Sequence, residues 1–212
     1  MIVATPMLGE QRVILPNVGW QFFETMLAEL GEHRGIRLAY DRGTLEIMSP
    51  LMPHEHTKRL IEKLIDALVL ELRLKMKSVG SMTCKREDLE RGIEPDSGFY
   101  IQNELLVRGR KTLDLSQDPP PDLMLEVDFT SSSLDKEPIY QALQVPEVWR
   151  YANGRLTIKR LQYGVYVPLN YSPTFANLPL TELPRFLEQS DEIGEVEMIL
   201  AFQAWVREQV KP

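Results

Sequence analysis

The segment from Pro119 to Trp149, PPPDLMLEVDFTSSSLDKEPIYQALQVPEVW, restricts the fold more than any other part of the chain. Its run Leu123–Phe129 is apolar apart from Glu126 and Asp128. In a β-strand alternate side chains share a face, so these two acids project to one side and Leu125, Val127 and Phe129 to the other. A buried carboxylate is costly unless a cation or a basic side chain neutralises it. Lys136, at the start of the helix expected next, offers such an amine, and a divalent metal beside it would serve as well. Two blander readings stand next to that one: hydrated acids at the open end of the strand, or a structural ion pair with Lys136.

The rest of the chain reads as alternating helices and strands. Asn17 is positioned to cap a first helix, VGWQFFETMLAEL, which stops at Gly31. A hairpin of IRLAY and TLEIM turns at Asp-Arg-Gly. The longest helix is expected from about His54 to Lys77, because Leu60, Ile61, Leu64, Ile65, Leu68 and Leu72 recur at helical spacing. Strands are expected at Val79–Cys84, Ser97–Gln102 and Leu123–Phe129, then a short helix Ser133–Gln144 with serine caps and Pro138 in its first turn. Val148–Ala152 and Arg155–Leu161 form a hairpin around Asn153-Gly154, with Tyr166–Leu169 as a further strand. Two helices, Leu183–Gln189 and Glu195–Val210, close the chain. The expected class is α/β with a mixed α+β sheet, in one domain over residues 1–212, with a core at about 35–170 and a helical extension at about 171–212.

Composition narrows the function classes. With 212 residues and 43% hydrophobic content, the chain can bury an ordinary core. No run approaches the roughly eighteen apolar residues of a membrane span, and the opening MIVATPMLGEQRVILP lacks the pattern of a signal peptide, so a cytoplasmic protein without membrane contact is expected. A single cysteine, Cys84, excludes an internal disulfide and a cysteine zinc cluster, and reads as a small buried residue. The net charge of −7 opposes nucleic-acid binding by global attraction. The charge is uneven, however: Lys58–Arg86 holds eight basic residues against three acids, and Phe175 to the end three against seven. A solvated helix face is the plainer reading of the basic stretch.

A second acid precedes the central strand. In IEPDSGFYI, Asp96 follows a proline and opens a strand, about thirty residues before Glu126. Carboxylates and one amine in this order suit a metal-dependent phosphodiester-cleaving site. The order Pro95-Asp96, Glu126-Val127-Asp128, Lys136 with Tyr140 four residues on, and VPEVWRY resembles the Uma-type family of restriction endonuclease-like proteins, within the PD-(D/E)xK nuclease superfamily. The resemblance spans roughly residues 35 to 155 and is densest from Pro119 to Tyr151. It implies a restriction-endonuclease-like core, here with an N-terminal helix and hairpin and a C-terminal helical extension. It further implies that Asp96 and Glu126 ligate Mg²⁺ or Mn²⁺, and that the site hydrolyses DNA as an endonuclease. The superfamily lysine usually stands two residues after the Glu, where this chain has Asp128. A known variation moves the amine to the following helix, and Lys136 matches that placement, which leaves Asp128 as an extra metal ligand or an orienter of the lysine.

Several other polar residues have plainer roles open to them. His54-Glu55-His56 is too tightly spaced to put two histidines on one helical face as a zinc site. His56 and Glu62 flank the apolar stripe and are expected to be structural or solvated before they are ligands, and Glu46 to be a strand-end acid. Tyr140 and Trp149 read as packing residues, with Tyr140 one turn from Lys136. Pro146 and Glu147 read as the helix-to-strand turn, and Asp122 as a turn residue. Ser133-Leu134-Asp135-Lys136 fits the S-x-x-K acyl-enzyme motif, but its S-D-N and K-T-G partners are missing. A nuclease fold that has lost catalysis and binds nucleic acid or a protein is the alternative, and the acidic terminal helices, expected first of all to cap the sheet, also offer a homodimer or partner surface.

Overall fold

The computed structural model describes residues 10–31, 35–130, 134–176 and 178–210, which form two mixed or antiparallel sheets and six α-helices. The chain runs β1 (Glu10–Pro16), α1 (Trp20–Leu30), β2 (Arg37–Asp41), β3 (Thr44–Pro50), α2 (Met52–Glu71), β4 (Lys77–Gly80), β5 (Cys84–Arg86), β6 (Arg91–Ile93), β7 (Ser97–Tyr100) and α3 (Glu104–Val107). It continues through β8 (Leu123–Asp128), α4 (Glu137–Ala142), β9 (Glu147–Ala152), β10 (Arg155–Gln162), β11 (Val165–Leu169), α5 (Pro184–Ile193) and α6 (Glu195–Gln209). The expected mixed α/β class is the observed one.

The larger sheet has the order β11-β10-β9-β8-β7-β4, and β8 and β9 are its parallel pair. Parallel neighbours need a crossover connection, and α4 lies in it. On one face of this sheet Leu123, Leu125, Val127 and Trp149 pack with Leu64 and Leu68 of α2 and with Phe186, Met198 and Phe202 of α5 and α6. On the opposite face Met124 and Val148 pack with Ile139 and Tyr140 of α4 and with Ala39, Cys84 and Ile93 of the second sheet. The alternation read from LMLEVDF is therefore real, with α4 held between the two sheets.

The second sheet, β1-β3-β2-β6-β5, is larger than the hairpin expected there. Glu10–Pro16 pairs along its whole length with β3, and β6 joins β2 to β5. α1 covers this sheet through Trp20 and Phe23, which meet Tyr40 with ring centroids 5.5 and 5.2 Å away.

Several boundaries differ from expectation for local reasons. α1 begins at Trp20 after Gly19, and Asn17 makes no cap but turns the chain out of β1 at φ 58°. α2 starts two residues early and ends at Glu71, because Arg73 adopts φ 53°, so the segment to Lys77 is not helical. The single strand expected at Val79–Cys84 is two strands in different sheets, separated at Gly80 with φ 55°. α4 begins at Glu137; its expected serine cap Ser133 lies outside the described residues. Among the described residues no helix is long and apolar enough to cross a membrane. Cys84 is buried, and burial together with the Glu94 charge pushes its thiol pKa up to about 12.

Candidate active site

The open end of the β7–β8 pair gathers the acids singled out in the sequence. Ser97 lies opposite Leu125, so Asp96, one residue before the strand, stands beside Glu126 at the end of the pair. Both are buried, as is Asp128. Asp96 Oδ2 accepts the Val127 main-chain N–H at 2.8 Å, which fixes the carboxylate against the central strand. Lys136, the residue before α4, donates to Glu126 Oε2 at 2.5 Å, and the Tyr140 hydroxyl donates to Glu126 Oε1. Lys136 and Tyr140 are spaced i, i+4, which places both on the same side of the short helix. Tyr140 is thus both a core residue, as expected, and a ligand of the acid.

Asp128 follows a different course. Its Oδ1 accepts from Arg12 at 2.7 Å and its Oδ2 from Arg150 at 2.6 Å. Arg150 lies across from Glu126 in the parallel β8–β9 register and stays about half exposed. Arg12 also reaches Glu46 Oε1 at 2.7 Å and Glu10 Oε1 at 2.9 Å. Glu10 in turn accepts from the Thr130 N–H at 2.9 Å and from the Thr130 hydroxyl at 2.8 Å. The end of β8 is therefore sealed by β1. Glu46 is a buried partner of Arg12 rather than a solvated strand end.

His54, in the first turn of α2, is fully buried. Its Nε2 lies 3.3 Å from Asp96 Oδ2 and 3.8 Å from Glu10 Oε2, without the alignment of a hydrogen bond. His56 is exposed, and Glu62 pairs with Arg59 at 2.8 Å, so neither approaches the acids. Glu147, expected in a turn, is instead a buried acceptor for Trp149 Nε1, the Ser172 hydroxyl and the Thr174 N–H and hydroxyl. Asp122 staples its loop by accepting from the Ile101 and Asn103 N–H groups.

The electrostatics follow from burial and neighbouring charge. Burial drives the Glu126 carboxyl upward; Lys136 opposes this, while the Asp96 and Asp128 charges add to it, and the result is about 7. Burial also works against ionised Asp96, but His54, Lys136 and the Val127 N–H outweigh it and hold the carboxyl below its usual value. Burial disfavours the Lys136 cation, yet Glu126, Asp96 and Asp128 keep its pKa raised. For His54 too burial is outweighed, chiefly by Asp96, then by Glu10 and Glu55. Near neutral pH the cluster thus holds an ionised Asp96, an ammonium, and a Glu126 balanced between its two forms.

Buried polar atoms normally have partners, and the exceptions call for explanation. Among the described residues Asp96 Oδ1 and both ring nitrogens of His54 have none. An unpaired buried carboxylate oxygen beside a second carboxylate matches the hard oxygen donors that Mg²⁺ or Mn²⁺ prefers. No three His, Cys, Asp or Glu side chains among the described residues form a cage of their own.

Sequence reading brought together Asp96, Glu126, Asp128 and Lys136, and passed over Glu10, Arg12, His54 and Arg150. The i, i+2 pair Glu10 and Arg12 in EQRVILP was a usable signal of a one-sided strand.

The family whose model matches this chain, over residues 20–190, is described as Uma2, putative restriction endonuclease. Among solved structures the chain is similar to a putative nuclease belonging to DUF820 from Anabaena variabilis ATCC 29413, with 12% identity and a TM-score of 0.49, over 88% of this chain and 99% of that one. No curated protein matches.

Proposed function

Because the chain belongs to the Uma2 family of restriction endonuclease-like proteins, we propose that it is a metal-dependent endonuclease that hydrolyses phosphodiester bonds in DNA. The observation that supports this best is the buried set of Asp96, with one oxygen unpaired, beside Glu126 with the Lys136 ammonium 2.5 Å away. Asp96 and Glu126 would hold Mg²⁺ or Mn²⁺, which when bound lowers the pKa of water and neutralises charge on phosphate oxygens. Asp128 is spent on Arg12 and Arg150 and takes the role of orienting this end of the strand.

The chain's own groups have distinct tasks. Lys136 is delivered by the crossover rather than by β8, and its ammonium steadies the attacking water and offsets negative charge as it builds on the phosphate. Tyr140 fixes the Glu126 carboxylate from the other side. His54 faces Asp96 and holds it ionised. Hydrolysis forms one P–O bond to water and breaks one ester P–O bond, the water's proton passing to solvent and the departing oxygen taking one up from it, with no covalent protein intermediate.

A second reading, a non-catalytic module that binds nucleic acid or a protein, draws on the fact that both Glu126 oxygens already have internal donors. Nicking of supercoiled plasmid separates the two. Wild-type protein is expected to cut in Mg²⁺ or Mn²⁺ and to stop in EDTA, while Glu126→Ala and Lys136→Ala, purified identically, lose at least about 100-fold in rate. Equal cutting by all three proteins would refute the assignment, and no cutting by any would favour the module.

A further inference from the structure

A cleft of about 560 Å³, lined by none of Asp96, Glu126 and Asp128, lies between the edge strand β4, the start of β2, the turn Ser81–Thr83 and the loop around Arg110–Leu113. Its charged lining is Arg37, Lys77, Arg110 and Lys111 against the single acid Glu94, in a protein of net charge −7. That concentration of positive charge is unusual for this surface. Most of the basic stretch Lys58–Arg86 is neutralised: Lys58, Arg59, Lys63, Lys85 and Arg86 each pair with a carboxylate.

Of the cleft cations, Arg37 and Arg110 also pair with a carboxylate, while Lys77 is held differently. Lys77 Nζ donates to the main-chain carbonyls of Val107 at 2.8 Å and Arg110 at 2.5 Å. Carbonyls fix the ammonium in space without supplying the opposite full charge of a carboxylate. Arg37 is largely buried, its Nε has no hydrogen-bond partner among the described residues, and its Nη2 pairs with Glu55 at 3.6 Å. Arg110 is tied at one nitrogen to Asp118 and Lys111 is exposed. Glu94 turns its carboxylate to the Leu38 N–H at 2.9 Å and the Thr83 hydroxyl at 2.7 Å.

We propose that this cleft is a second, non-catalytic site that holds backbone phosphates of the nucleic-acid strand. Hydroxyls of Ser78, Ser81 and Thr112 line it beside the four cations, and no aromatic ring is among its described lining residues. Bases are gripped in single strands by stacking on rings, whereas phosphates are gripped by Arg, Lys and hydroxyl donors. The lining therefore suits the sugar-phosphate chain and contributes affinity without sequence preference. Two links join it to the carboxylates: Glu94 lines the cleft two residues before Asp96, and Arg37 faces Glu55, the neighbour of His54. The identity of the ligand as nucleic acid rests on the nuclease reading; the phosphate chemistry does not.

Binding of a fluorescein-labelled 20-nucleotide DNA, single- and double-stranded, is measured by anisotropy in EDTA, where no cutting intervenes. The test variant is Arg110→Gln/Lys111→Gln, two exposed side chains, and the control is Arg155→Gln/Arg185→Gln, which removes equal charge elsewhere. We expect the test variant to bind about 10-fold more weakly and to flatten the dependence of log K on log salt by about two units of slope, with the control near wild type. With Mn²⁺ present, the test variant should raise KM for plasmid nicking and leave kcat unchanged. Equal binding by both variants overturns the proposal. So does saturable binding of inorganic phosphate that the test variant abolishes while DNA binding persists, since the cleft would then serve a free anion. A wild type that binds DNA through the cleft but never cuts would refute the nuclease reading alone.

Discussion

Arg12 meets three carboxylates with one guanidinium: Glu10 and Glu46 from its own sheet and Asp128 from the other. Its side chain is 8% exposed, so the charges it neutralises have little access to water. Removing one partner of a buried ionic cluster strands the rest, which typically costs about 3–5 kcal/mol. Arg12→Met is accordingly expected to lower the urea midpoint by that loss of stability at unchanged m-value. Arg12→Lys, which keeps the charge but not the fork of donors, should fall between the two. An unaltered midpoint in Arg12→Met would show that the cluster is neutral in its net effect. The same residue marks where sequence reading ran short. Glu126, Asp128 and Lys136 were legible because acids in an apolar strand are conspicuous, whereas Arg12 lies 116 residues from Asp128 and nothing local announces that pairing.

At the level of elements, α1 is locked to the second sheet through one close approach. A Cβ built on Gly92 would stand 2.6 Å from the Phe23 ring and 3.3 Å from Lys85 Cβ. Phe23 is held in a three-ring cluster with Trp20 and Tyr40, each with its ring centroid 5.2 Å away. Gly92→Ala is therefore expected to destabilise by about 1–3 kcal/mol through overpacking, read as a lower melting temperature. Gly109→Ala, with open space around it, should leave melting unchanged. The helices other than the one-turn α3, for which no helix was expected, and the β9–β10 hairpin were legible, the hairpin from Asn153-Gly154, both at positive φ as the turn requires. β5 and β6 were not, because three-residue strands carry no period, and β1 was read only as a chain terminus. The helix expected to reach Lys77 continued an apolar stripe past Arg73, where the backbone turns left-handed.

For the molecule as a whole, a cation held between the carboxylates would favour the folded chain over the unfolded one. At a Mn²⁺ concentration 100-fold above its Kd the gain is about 2.7 kcal/mol, which thermal melting reads as a rise in Tm. Asp96→Asn should abolish that rise, and a Tm that ignores Mn²⁺ in the wild type would refute the carboxylates as its holders. The parallel β8–β9 pair has a consequence for recognition of related chains. Its crossover brings an amine that is ten residues from Glu126 along the chain to 2.5 Å from it in space. A sequence template that demands a fixed short interval between acid and amine would score this locus as blank. In this chain it is the connector returning over the carboxylate, and no fixed short interval, that brings the amine to its place, and the sheet sets where the two meet.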